Sequence, residues 1–341
     1  MSPEFAASPL NASPDGEKAV EAIVGMPSPW TMHHGDVMIN ARVAYRLVGP
    51  AGAPVVAALG GISAHRVVAG PKGVGWWSEA VGPGGAIDTD RYRVLGIDYI
   101  GGCGESTTPA AGAKFPPVSA FDQGEAIYQV LRSLQLPSLH AIVGASYGGM
   151  VAMSFAVRYP ACVSRLVLLS ATDRTPALST AWRSVQRQIV REALARGDGP
   201  AGLRIARALA MTTYRSASEF EQRFSAVPVR DGDRFRFPVE DYLFARGDHY
   251  AQQYRAESFL ALSESIDLHS IDAGQVLAPT TLIAVHEDQL VPLAKMQAFA
   301  ARLGNLSRLV EIGSMFGHDA FLKEGAVLKP IIETALAEAV P

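Results

Sequence analysis

The run "LHAIVGASYGGMVAMSFAVRYP", residues 139–160, constrains the chain more than any other. An apolar, strand-like stretch leads into Gly144-Ala145-Ser146-Tyr147-Gly148, and a helix-like stretch leads out until Pro160 stops it. A serine in a G-x-S-x-G spacing between a strand and a helix sits on a turn too sharp for bulky neighbours. The turn strains the serine backbone, lifts its hydroxyl into the open and aims the N-terminus of the next helix at it. An ordinary glycine-rich turn fits the five residues equally well, so the surrounding pattern has to decide.

That pattern is a sheet. Residues 41–50 ("ARVAYRLVGP") alternate apolar and polar positions and read as an antiparallel strand. "APVVAALGG" (53–61), "YRVLGIDYIGG" (92–102), "LHAIVGAS" (139–146) and "VSRLVLLSAT" (163–172) are continuous apolar runs of the kind found in buried parallel strands. "SAFDQGEAIYQVLRSLQL" (119–136) has helical spacing, with Ile127, Val130, Leu131 and Leu134 on one face. Strand and helix alternate, which predicts a mostly parallel sheet with helices on both faces. The rhythm breaks over residues 176–271, where helical spacing and many arginines replace it. It resumes with a strand at "TTLIAVHEDQLVP" (280–292), a helix, the short strand "SRLVEIG" (307–313) and a closing helix over 319–340. The expected organisation is therefore an α/β core from residues 31–175 and 272–341, interrupted by a helical lid or dimerisation insertion at 176–271. Residues 1–30, rich in Pro, Ser and Ala, read as a poorly ordered tail without the basic and apolar regions of a secretory signal.

The chain has 341 residues, of which 48% are hydrophobic, and a net charge of −3. That length carries a large core, and that charge favours neither nucleic acid nor an anionic membrane as partner. No stretch has the roughly 18 consecutive apolar residues of a membrane span. Two cysteines, Cys103 and Cys162, make no disulfide framework, and no Cys/His spacing suggests a metal. A reducing, cytoplasmic location is expected.

If Ser146 is a nucleophile, it needs a base, and the base needs an acid to set its tautomer. On such a sheet the order should be Ser, then acid, then His, with each partner after a late strand. Asp288 directly follows the strand-like "TTLIAVHE", and His318 follows "RLVEIGSMFG". Glu287 competes with Asp288, and His286 reads as a packed residue beside them. His249 and His269 lie in the insertion, where no acid follows a strand. His318 as a mere helix cap is the plain alternative. The oxyanion formed during acyl transfer needs two backbone N–H donors. Tyr147, after the serine, should give one, and Gly61 or Ile62, after the first buried strand, the other. His65 and Arg66 lie just beyond, where a solvated loop would also hold them.

These residues resemble the homoserine O-acyltransferases of the α/β-hydrolase superfamily, over residues 37–321. "GWWSEAVGPGGAIDTDRYRVLGIDYIGG", "SVQRQI", "ARALAMTTYRSASEFEQRF", "PVEDYLFARGDHYAQQYRAESFLALSESIDLHSI" and "GHDAFL" carry the resemblance. Ala145 and Tyr147 depart from it, since that family usually has Asn before the serine and Met after it. The resemblance implies an α/β-hydrolase fold with Ser146, Asp288 and His318 as the catalytic triad. It also implies Arg207 and Asp319 as contacts to the carboxylate and ammonium of an amino-acid acceptor; taken alone, Arg207 would pass for a surface residue. The implied reaction moves an acyl group from acyl-CoA, a co-substrate, to homoserine, with no resident cofactor or metal, in a homodimer. Rival readings are an esterase, a serine O-acyltransferase and a binding protein that kept the fold. Family members using succinyl-CoA typically carry arginine two residues after the catalytic aspartate. Leu290 stands there, so acetyl-CoA is the expected donor, unless Arg66 supplies a cation from the other side.

Overall fold

The structure, a computed structural model, describes residues 19–70 and 74–338. Eight strands form the main sheet: β1 (Ala19–Gly25), β2 (Arg42–Val48), β3 (Val55–Leu59), β4 (Arg93–Ile97), β5 (Ala141–Ala145), β6 (Leu166–Leu169), β7 (Thr280–Val285) and β8 (Leu306–Ile312). Their spatial order is β1-β2-β4-β3-β5-β6-β7-β8. The pairs β1/β2 and β2/β4 are antiparallel, and every pair from β4 to β8 is parallel.

The continuous apolar runs are explained by cover on both faces. Along β3, Val55, Ala57 and Leu59 join one apolar cluster, while Val56 and Ala58 join another. The first cluster takes Ile127, Val130 and Leu131 from α1 (Ala120–Ser133) and Val151 and Phe155 from α2 (Tyr147–Arg158). It also takes Met296 and Phe299 from α8 (Leu293–Ala300). The second receives Leu328, Ile332 and Leu336 from the final helix, α9 (Gly325–Ala337). A strand buried on both faces loses the alternation that marks a half-exposed one. Helix α1 begins on a capping box, in which Ser119 accepts from the Asp122 N–H and Asp122 accepts from the Ser119 N–H.

Between β6 and β7 the chain leaves the sheet for α3 (Ala177–Ala195), α4 (Gly199–Tyr214), α5 (Ala217–Phe224), α6 (Pro238–Gln253) and α7 (Ala256–Asp267). α4 packs between α3 and α6. Gly247 on α6 makes that approach possible, because a Cβ there would stand 2.3 Å from the Arg204 carbonyl oxygen. An exposed hairpin, Val229–Asp231 with Arg234–Arg236, lies between α5 and α6.

Two sequence expectations are corrected here. The tail assigned to residues 1–30 is too long: residues 19–25 form β1, which pairs along its whole length with β2, from Ala19 opposite Val48 to Gly25 opposite Arg42. The Pro/Ser-rich composition of the neighbouring residues masks a short β-prone run, "AVEAIVG". Residues 1–18 lie outside the described residues. The closing helix is also interrupted. Gly317–Asp319 and Ala320–Lys323 form short turns, and α9 starts anew after Glu324.

Candidate active site

The carboxyl ends of β5, β7 and β8 point to the same edge of the sheet, and the loops leaving them meet there. Ser146 has φ 54° and ψ −121°, a region L-residues avoid. Its neighbours show why the turn needs glycine. A Cβ on Gly148 would stand 2.3 Å from the Leu59 carbonyl oxygen, and one on Gly144 would stand 2.5 Å from the Gly148 carbonyl oxygen. The following Gly149 would meet the Ala171 methyl at 2.5 Å. Helix α2 therefore lies directly against β3 and the end of β6. The Ser146 N–H donates to the Leu169 carbonyl at 2.9 Å, which ties the turn to β6.

His318 Nε2 lies 2.8 Å from Ser146 Oγ, and His318 Nδ1 lies 2.7 Å from Asp288 Oδ2. A carboxylate only accepts, so Nδ1 carries the proton and donates, leaving Nε2 to accept from the serine hydroxyl. Asp288 is held in turn. Its Oδ1 accepts from the N–H groups of Leu290 and Val291, both at 2.9 Å. Both side chains are buried. Burial alone would lower the His318 pKa, but the charge and hydrogen bond of Asp288, with Asp319 adding, raise it above its ordinary value of 6.5.

The competing residues have other partners. Glu287 accepts from the Ser314 N–H at 2.7 Å and so braces the loop that delivers His318. His286 is half-exposed and faces Glu311 across 3.3 Å. His269 is buried, and burial pushes its pKa down to about 4, so it is neutral. His249 lies on α6, and neither it nor His269 lines the pocket above Ser146.

Tyr147 is the first residue of α2, so its N–H belongs to the unladdered amides of a helix start. Its side chain is enclosed, with the hydroxyl 2.7 Å from Ser265 Oγ and the ring edge-on to Tyr99. Burial pushes that hydroxyl's pKa up, so it stays protonated. Gly61 and Ile62 line the same pocket as Ser146 and His318. The Ile62 carbonyl is turned towards the insertion, where it accepts from the Tyr254 hydroxyl at 2.7 Å. Leu290 also lines the pocket.

Arg207, on α4, reaches the pocket with its guanidinium 5.0 Å from the Tyr214 ring centre and 4.9 Å from that of Tyr250. No carboxylate among the described residues pairs with it. Asp319 lines the pocket too, but its Oδ2 already lies 3.2 Å from Arg215 Nε. Tyr214, Tyr250 and Arg183 are site residues that sequence reasoning missed. Tyr214 stood in the quoted "TTYRS" run, seven residues after Arg207, which was the available signal.

Arg66 does not reach the pocket, which corrects its expected place in the acyl site. Its guanidinium holds Asp98 at 2.5 Å, Glu21 at 3.2 Å and also Glu105. Asp98 is 1% exposed, and a carboxylate buried that deeply needs a cation. His65 turns inward beside it and accepts from the Val67 N–H at 3.2 Å. Among the described residues no three His, Cys, Asp or Glu side chains gather as metal ligands, and no helix is long and apolar enough to cross a membrane.

The model of the alpha/beta hydrolase fold family matches residues 68–325. A homoserine O-succinyltransferase of Xanthomonas campestris is 39% identical over 330 residues, covering 95% of this chain and 86% of that protein. A homoserine O-acetyltransferase of Thermobifida fusca is 32% identical, covering 92% of this chain and 93% of its own length. The crystal structure of homoserine O-acetyltransferase from Bacillus anthracis superposes with a TM-score of 0.85 over 95% of this chain and 99% of that one; at 20% identity this likeness speaks for the fold alone. The chain belongs to the homoserine O-acyltransferase family, within the α/β-hydrolase fold.

Proposed function

We propose that this protein transfers an acyl group from acyl-CoA to the hydroxyl of homoserine, through an acyl-serine, in methionine biosynthesis. The observation that carries the reading is the Ser146–His318–Asp288 chain of hydrogen bonds, on a pocket whose wall presents an unneutralised cation, Arg207. An amino acid offers the carboxylate that a forked guanidinium suits.

In the first half-reaction His318 Nε2 takes the Ser146 proton as Oγ attacks the thioester carbonyl. The N–H of Tyr147, with that of Gly61 or Ile62, stabilises the oxyanion. The C–S bond breaks, the proton passes from His318 to the sulfur, and CoA leaves as the thiol. In the second half-reaction His318 takes the proton of the acceptor hydroxyl, whose oxygen attacks the acyl ester. Ser146 Oγ then leaves and recovers that proton. The acceptor's carboxylate rests on Arg207 and its ammonium near Asp319. The insertion helices over the pocket disfavour water as the competing acceptor. Leu290 in the pocket wall suits a small apolar acyl group, as in acetyl-CoA. No resident cofactor enters these steps. Free Cys103 and Cys162 and a CoA thioester substrate support a cytoplasmic location.

The insertion is also the proposed dimer contact. It exposes Val227 (80%), Val229 (55%) and Phe235 (60%) around its hairpin, a patch that a second copy would cover. Light scattering at micromolar concentration should give twice the chain mass; a monomer there contradicts the contact.

Ser146→Ala should remove acyl transfer and leave the fold intact, because the turn already accepts small residues. Mass spectrometry after mixing with acyl-CoA should show one added acyl mass on the wild type and none on the variant. Labelling that survives on the variant would rule out Ser146 as nucleophile.

The pH dependence follows from His318. Only its neutral form accepts the serine proton, and its pKa is raised, so activity should be lost as pH falls through an apparent pKa above 6.5. Asp288→Asn should move that acid limb to lower pH and cut kcat by about 10³–10⁴-fold. An unshifted limb in pH profiles of CoA release would remove Asp288 from its role.

Arg207→Ala should raise the homoserine KM by roughly tenfold or more, with CoA release in the first half-reaction nearly unchanged. Stopped-flow measurement of the two half-reactions separates these. Equal losses in both would show that Arg207 does not serve the acceptor.

A further inference from the structure

A second cation stands in the pocket wall, and the mechanism above does not use it. Arg183, on α3, donates to Asp267 Oδ1 through Nε at 3.0 Å and Nη2 at 2.7 Å. Thr180 donates to the same oxygen at 2.8 Å. Arg187, one turn further along α3, donates to Asp267 Oδ2 at 2.6 Å. Two guanidinium cations thus share one carboxylate, and the group keeps a net positive charge. Arg187 directs the same Nη1 to the carbonyl and hydroxyl of Ser263 and does not line the pocket. Arg183 does line it, and its bonds to Asp267 run through Nε and Nη2, leaving Nη1 without a hydrogen-bond partner among the described residues. Arg183 therefore presents that charge, with a donor still free, to the pocket.

The location matters as much as the charge. Ser179 donates to the Leu290 carbonyl at 2.7 Å, which pins the first turn of α3 beside the segment after Asp288. Arg183 comes four residues after Ser179 and so lies on the same face of the helix. Its guanidinium thus stands on the side of the pocket where Leu290 offers no charge. The nearness to the reacting groups also registers at His318, where the Arg183 charge opposes the raising effect of Asp288. Arg66, the other cation considered for this task, is committed to Asp98, Glu21 and Glu105.

We propose that Arg183 is the carboxylate-binding residue of the acyl pocket, so that the protein takes, alongside acetyl-CoA, donors whose acyl chain ends in a carboxylate, such as succinyl-CoA. The inference rests on the acyl-transfer reading and adds a donor class to it. A terminal carboxylate entering this pocket loses water and needs a charged hydrogen-bond donor in return. Arg183 Nη1 offers one without first breaking its bonds to Asp267.

The test compares kcat/KM for succinyl-CoA and acetyl-CoA, with homoserine as acceptor, in the wild type, Arg183→Gln and Arg183→Lys. The ratio of the two constants is the readout, since a loss of folded protein cancels from it. Asp267 keeps Arg187 and Thr180 in both variants, so the carboxylate stays paired. Wild type should turn over succinyl-CoA, R183Q should lower the succinyl-to-acetyl ratio by about tenfold or more, and R183K should keep most of it. A ratio unchanged within about twofold in R183Q overturns the proposal, as does an R183K ratio as low as that of R183Q. A wild type that uses acetyl-CoA alone overturns it while leaving the acyl-transfer reading in place. Turnover of neither donor removes that reading, and this inference with it.

Discussion

The close approach of α2 to β3 is the constraint on which the rest of the site depends. Gly148 lies so near the Leu59 carbonyl that no side chain fits between them. That contact fixes how steeply the chain turns at Ser146, and so forces the left-handed backbone there. A residue held in such a region costs about 1–3 kcal/mol and persists only where its surroundings over-determine it. Here the hydrogen bond from Ser146 N–H to Leu169, the helix start at Tyr147 and the packed Gly144, Gly148 and Gly149 supply that over-determination. The same turn does two things at once: it exposes the hydroxyl and brings the first amide of α2 beside it.

The rest of the site is built around that fixed point by parallel strands that end together. Asp288 and His318 come from loops after β7 and β8, far from Ser146 in sequence. Each loop is braced by something other than the triad. Asp288 is anchored by the amides of Leu290 and Val291, and the His318 loop by Glu287 through Ser314. Trp77 adds a further tie, donating from its indole N–H to the Phe321 carbonyl at 2.7 Å. The bracing places Asp288 and the imidazole so that the Nδ1–H donated to Asp288 fixes the tautomer.

Charge in the structure is sorted by burial. Asp98, deep beneath the oxyanion loop, draws Arg66 inward together with Glu21 from β1, so the edge strand and the loop after β3 share one ion network. Arg215 is taken by Glu219 and Asp319, and Arg183 and Arg187 by Asp267. Arg207, unlike Arg183 in the same pocket wall, meets aromatic faces, and no carboxylate among the described residues pairs with it. Stacking between Tyr214 and Tyr250 keeps its charge available while limiting its motion.

What the sequence determined by itself was whatever depends on local spacing. Apolar runs separated by helical periods implied a mostly parallel sheet; G-x-S-x-G at a strand end marked the turn; the Ser–Asp–His order along the chain matched the sheet's late strands. These were legible because short-range sterics and hydrophobic periodicity are written in neighbouring residues. The short strand β1 was missed, since seven β-prone residues beside a Pro/Ser-rich stretch have no identity until β2 pairs with them. Only the tertiary structure decided which arginine serves which partner. Arg66, close in sequence to the oxyanion glycine, is drawn away by a buried carboxylate. Arg183, about a hundred residues before Leu290 in the chain, stands on the same side of the pocket because one serine pins its helix there. Charges act across space, and one sequence alone does not reveal which buried acid a given cation must neutralise.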